Sequence, residues 1–249
     1  MNKLYKKNEL LFAVIWIVVY VVGFSLADNL SVMIKIEKSI TMIVGIILSV
    51  LLFGWMKNNG LYEKYGLYKS QFDAKQMLYY IPLILMASVN LWYGFSMNLS
   101  MLETILYIIS MFAVGFLEEV IFRGLLFKAM CKDGVLPAII VSSITFGIGH
   151  IVNLINGSGA DLLENLLQVG YAIAAGFLFT MIFYKTKSLV SCIITHGVLN
   201  ALSVFSNEAV MTTQKEILSA VALAGISILY TIYIMKMDGN CSELEDKTI

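Results

Sequence analysis

The sequence predicts an all-α protein, a polytopic transmembrane helical bundle of about eight spans. Three observations carry this expectation. Of 249 residues, 59% are apolar and 14% charged, too little polar surface to enclose a soluble core. Apolar runs of roughly 17 to 25 residues, the length that crosses the hydrocarbon core, recur along the chain. None shows the alternation of a barrel strand, and lipid tolerates no unpaired backbone, so each run is a helix.

The runs lie near 10–27, 40–56, 77–93, 102–126, 135–153, 162–184, 188–205 and 217–235. The first follows MNKLYKKNEL and offers Ser25-Leu26-Ala27 as a small-residue cleavage pattern. Its apolar stretch is longer than a signal-peptide core, so an uncleaved span is expected. The second and third runs are the shortest. Between them, GLYEKYGLYK (60–69) repeats a six-residue phrase and reads as an interfacial segment with tyrosines at headgroup level. NGSG at 156–159 reads as a loop, and the C-terminal DKTI carries no lipidation signal. Residues 1–249 are therefore read as one integral membrane domain, with a motif-bearing core at 102–205.

Lysine placement sets the expected orientation. With eight spans, lysines 3, 6, 7, 57, 64, 69, 75, 128, 132, 185, 187, 236 and 247 share one side, and only Lys35, Lys38 and Lys215 fall on the other. Both termini are then cytoplasmic. The lysine-rich composition suggests a bacterial plasma membrane. Formal charge is zero and no basic cluster is interleaved with aromatics, so nucleic-acid binding is set aside. Cys131, Cys192 and Cys241 have no CxxC spacing, which argues against a disulfide framework or a thiolate metal site.

Removing loops and span ends leaves three polar clusters. GFLEEVIFRG holds Glu118, Glu119 and Arg123; FGIGH holds Phe146 and His150; THGVLN holds His196 and Asn200. Both histidines and the one arginine of the chain fall inside predicted spans. Ionisable groups at that depth are expensive and are expected to line a protein-walled cavity. Residues four apart share a helix face, so Glu119 can pair with Arg123, Phe146 lies beside His150, and His196 beside Asn200. Glu118 is left without a counter-ion, and poor solvation would push its pKa towards the range of a general base. As drawn, Glu118 and His150 differ in depth by about 15 Å at about 1.5 Å per residue, a gap that sliding spans four and five by a few residues mostly closes. Glu103 and Glu164 near span ends are expected to be solvated. Gly147 and Gly149, flanking the histidine, would let helices approach closely or a substrate backbone enter.

EEVIFRG is similar to the EExxxR motif, FGIGH to the FxxxH motif and HGVLN to the HxxxN motif of the CPBP family. These are the CAAX-protease and bacteriocin-processing proteins, also called Abi, intramembrane endopeptidases related to type II CAAX prenyl proteases. The motifs cover residues 118–200, about a third of the chain. The resemblance implies that Glu118 and His150 orient and deprotonate a water, that His196 and Asn200 stabilise the oxyanion, and that Glu119, Arg123 and Phe146 support the site. Its substrates would be lipidated or membrane-bound peptides, bacteriocin or pheromone precursors included. No cofactor is required in this reading; zinc on Glu118, His150 and His196 is the alternative, although HExxH is absent. Two other roles would use the same residues: a non-catalytic self-immunity protein against bacteriocins, and a proton-coupled transporter.

Overall fold

The computed structural model describes residues 1–155 and 161–237; the NGSG loop and Cys241 lie outside the described residues. Helices account for the fold and no strand occurs among the described residues. After a short N-terminal helix α1 (Asn2–Lys7) come α2 (Glu9–Met33), α3 (Ser39–Asn58), α4 (Ile81–Ala87), α5 (Met101–Asp133), α6 (Val135–Gly149), α7 (Leu162–Thr186), α8 (Val190–Leu202) and α9 (Thr213–Lys236). Helices α2, α3, α5, α7 and α9 are each long and apolar enough to cross a membrane. So is α6 when taken together with the turn that extends it to Leu154. The protein is a multi-pass membrane protein.

The long helices α2, α5 and α7 begin at side-chain caps. Asn8 caps α2 through Leu11 N, Ser100 and Glu103 form a reciprocal capping box on α5, and Asp161 and Glu164 do the same on α7. Glu103 and Glu164 thus serve helix ends rather than the interior. The third predicted run, 77–93, is shorter as a helix than its apolar content suggests. Leu78, Tyr79 and Tyr80 all have φ between 49° and 59°, so a right-handed helix begins only at Ile81, with Pro82 in its first turn. With the 3₁₀ turn Val89–Leu91, this segment spans about 15 Å, half a bilayer core. α8 with its 3₁₀ extension Ser203–Phe205 is also shorter than the six long helices.

α5 and α7 form the centre. Their most apolar windows are 56% and 50% buried, against 28–33% for the other long helices, whose outer faces are left to lipid. α5 packs on α3 and α8, its middle also meets α2 and α6, and α7 packs between α6 and α9. Glycines set the two tightest crossings. A Cβ on Gly115 would lie 2.7 Å from Gly197 N, so α5 and α8 touch backbone to backbone. A Cβ on Gly147 would lie 2.7 Å from Ile173 N, and one on Gly176 2.9 Å from Ser143 O, which holds α6 equally close to α7.

Each end of the bundle is assembled separately. At the lysine-rich end, Lys64 pairs with Glu9 at 2.8 Å and donates to Tyr5 Oη at 2.6 Å, Leu189 N donates to Gly66 O at 2.8 Å, and Tyr230 Oη donates to Met77 O at 2.8 Å. At the other end, Lys38 pairs with Asp28 at 2.9 Å and Asn98 donates to the carbonyls of Val204 and Ser206. Within the 60–69 segment, Tyr65 turns into the bundle. It is 1% exposed, packed in the core with Trp55, and its hydroxyl bonds Tyr5 Oη at 2.9 Å. Gly66, at φ 68°, turns the segment inward to meet the α7–α8 loop, and that turn carries Tyr65 with it.

Candidate active site

The polar clusters of α5, α6 and α8 meet at the ring of Phe146. The Arg123 guanidinium lies 3.9 Å from its centroid, and the imidazoles of His150 and His196 stand edge-on to it at 5.3 and 5.7 Å. Phe122 closes a fourth side at 5.4 Å. Two features bring these residues together. α5 continues to Asp133, well past the predicted end at 126, which moves Glu118 to the middle of that helix. The close Gly115–Gly197 crossing then sets the carboxylates of α5 against His196 of α8.

Glu119 through Phe127 form a π-helix in which every residue is buried. This i→i+5 segment is rare and is frequent at functional sites. Ser142 of α6 donates to Phe122 O at 2.9 Å, supplying a side-chain partner to one of its carbonyls. Within it, Glu119 Oε1 accepts from Arg123 Nη1 at 3.0 Å, and both residues are fully buried. Arg123 Nε and Nη2 have no hydrogen-bond partner among the described residues. The aromatic faces of Phe146 and, at 5.7 Å, Phe179 supply the remaining attraction for its charge.

His196 is 5% exposed and lies between two carboxylates. Its Nδ1 is 2.8 Å from Glu119 Oε1, and its Nε2 is 3.3 Å from Glu118 Oε2. The first contact is a hydrogen bond. The second has ion-pair distance without hydrogen-bond geometry, for Glu118 Oε2 is buried with no hydrogen-bond partner. A protonated imidazole donates from both nitrogens and brings Glu118, Glu119, Arg123 and His196 to zero net charge; a neutral one leaves a negative charge of one.

Glu118 is therefore not without a counter-group, contrary to the sequence expectation. Besides His196, its Oε1 accepts a 2.6 Å hydrogen bond from the hydroxyl of Tyr20, on α2. Tyr20 was hidden among the aromatic residues of an apolar span. The available signal was its mid-span position, because a phenol hydroxyl at that depth needs a partner. His150 is half-buried, lies within electrostatic reach of Glu118, His196 and Arg123, and is anchored through its carbonyl by Asn165 Nδ2 at 2.9 Å. Asn200 is one helical turn beyond His196, half-buried, and its side chain makes no hydrogen bond among the described residues. Asn153 donates to Gln168 Oε1 at 2.9 Å. Gly147 forms the close helix crossing, while a Cβ on Gly149 would meet open space.

Among the described residues no three His, Cys, Asp or Glu side chains are grouped as metal ligands. Nδ1 of His196 is engaged by Glu119, which also pairs with Arg123, so within the alternative zinc set of Glu118, His150 and His196 it is Nε2 of His196 that faces Glu118. The arrangement does supply a buried carboxylate oxygen next to imidazole nitrogens on separate helices, the elements of acid–base chemistry on a polar bond.

Residues 98–202 match the profile of the Rce1-like family, described as type II CAAX prenyl endopeptidase Rce1-like. No curated protein and no solved structure matches the chain. The matched segment contains all three motifs and every residue gathered around Phe146. Over residues 98–202, about two fifths of the chain, the protein is thus similar to type II CAAX prenyl endopeptidases.

Proposed function

We propose that the protein is an intramembrane endopeptidase that hydrolyses peptide bonds of lipidated or membrane-bound peptides with a water activated by Glu118 and His150. The observation that carries the reading is the state of Glu118. One of its oxygens is held by a hydrogen bond, while Oε2 is buried, makes none, and faces His196 Nε2 at 3.3 Å.

In this mechanism Glu118 Oε2 takes a proton from the water, whose oxygen attacks the peptide carbonyl. The carbonyl π electrons move to the oxygen, and the oxyanion forms beside the base, where His196 Nε2–H and the Asn200 amide can donate to it. One such donor is worth about 3 kcal/mol of transition-state stabilisation. Collapse of the tetrahedral species breaks the C–N bond, and Glu118 returns the proton to the leaving amine. Glu119 and Arg123 hold His196 from its Nδ1 side, and Phe146 fixes the spacing of both imidazoles. The reading needs no metal: cleavage persisting after strong chelation supports it, and a stoichiometric zinc whose removal abolishes cleavage overturns it. The lysine-rich end would face the cytoplasm of a bacterial cell.

The test compares membrane peptides in cells carrying the wild type and Glu118→Ala. A precursor that accumulates only in the variant, at unchanged protein level, is expected and identifies the substrate and its cut site. Identical peptide profiles would count against proteolysis and leave a binding role, such as bacteriocin self-immunity.

A further inference from the structure

Tyr20 lies on α2, outside the segment that carries the family motifs, yet its hydroxyl makes the shortest hydrogen bond to the site, 2.6 Å to Glu118 Oε1. Both side chains are buried, at 8% exposure each. The phenol ring is fixed by Phe24, with ring centroids 4.7 Å apart, and α2 packs along the π-helical segment that begins at Glu119. An ionised carboxylate only accepts, so the phenol must be the donor. This bond occupies Oε1 and sets the rotation of the carboxylate, which aims Oε2 towards His196 Nε2.

We infer that Tyr20 is a positioning residue for Glu118: its hydroxyl holds one carboxylate oxygen so that the other, Oε2, is the proton acceptor presented to the substrate water. This rests on Glu118 being the base. It also makes α2 a working part of the site.

Tyr20→Phe removes only the oxygen, and infrared difference spectra across pH, on purified protein in lipid nanodiscs, read the carboxyl directly. Glu118→Gln assigns the band by deleting it. In Tyr20→Phe the C=O stretch of the protonated carboxyl is expected to move to higher frequency, because the oxygen that accepted from the phenol loses its donor. Phe24→Leu, which alters packing around the ring without removing a hydroxyl, leaves that frequency unchanged. With the precursor that accumulates in Glu118→Ala cells as substrate, Tyr20→Phe lowers turnover about tenfold, the factor expected for one hydrogen bond to a charged group, with KM unchanged. A band unmoved in Tyr20→Phe, or moved as far by Phe24→Leu, overturns the positioning role. Cleavage that persists in Glu118→Ala overturns the proteolytic reading instead, and the spectra tell the two failures apart.

Discussion

Glu119 Oε1 lies 2.8 Å from His196 Nδ1, a contact across 77 residues of sequence that ties the π-helical segment of α5 to α8. The same oxygen accepts from Arg123, so one carboxylate holds a guanidinium and an imidazole in place. A buried charge that loses its partner costs about 3–5 kcal/mol, whereas replacing a whole pair by apolar groups can be neutral. Glu119→Leu and Arg123→Met are each expected to lower accumulation and the thermal midpoint sharply. The double variant should be more stable than either single one, as read by unfolding of the purified proteins. It should still be inactive, because His196 loses its Nδ1 partner.

The glycines around His150 give a contrast within one helix. Gly147→Ala places a methyl group against the backbone of Ile173, and overpacking of that kind costs about 1–3 kcal/mol. Gly149→Ala meets nothing within 4 Å. The first should lower the thermal midpoint by several degrees and reduce activity by moving α6. The second should leave stability near the wild type, so any activity it loses reports the space beside His150 rather than the fold.

The apolar runs were legible because lipid demands helices of a fixed length, and all eight runs contain helix. The length of α4 was not, since nothing in LYY announces three left-handed residues. Glu119 with Arg123 was legible from i,i+4 spacing, but the partners of His196 were not, because they lie on another helix 77 and 78 residues away. The π-helix has no hydrophobic period of its own to read. The burial of Tyr65 was not legible, because a tyrosine near a span end serves equally well on the surface or as a core ring, and the turn at Gly66 carries it inward.

At the lysine-rich end, burial alone would lower the pKa of Lys64, but hydrogen bonds with Glu9 and Tyr5 and their charges outweigh it and hold the ammonium above its ordinary value. A group whose folded value is raised contributes stability that is fully present below its unfolded value, about 10.4, and lost as pH rises through the folded one. Lys64→Met should therefore lower the thermal midpoint by a nearly constant amount through the neutral range. The gap from the wild type should close in strongly alkaline buffer; a gap that closes near neutrality would show that Lys64 is not what clasps α2 to the 60–69 segment.

Asn200 separates the chemistry from the fold. Its side chain makes no hydrogen bond among the described residues and sits one turn beyond His196, so shortening it to Ala breaks no internal contact of that kind. If the amide donates to the oxyanion, it acts only in the transition state, and turnover should fall about 10²- to 10³-fold. KM should change little, since an interaction absent from the ground state does not contribute to it. The measurement is steady-state cleavage of the accumulated precursor by wild type and Asn200→Ala, with the thermal midpoint recorded alongside. Equal midpoints with a lost turnover place the amide at the oxyanion; an unchanged turnover would remove Asn200 from the mechanism and leave His196 as its single side-chain donor.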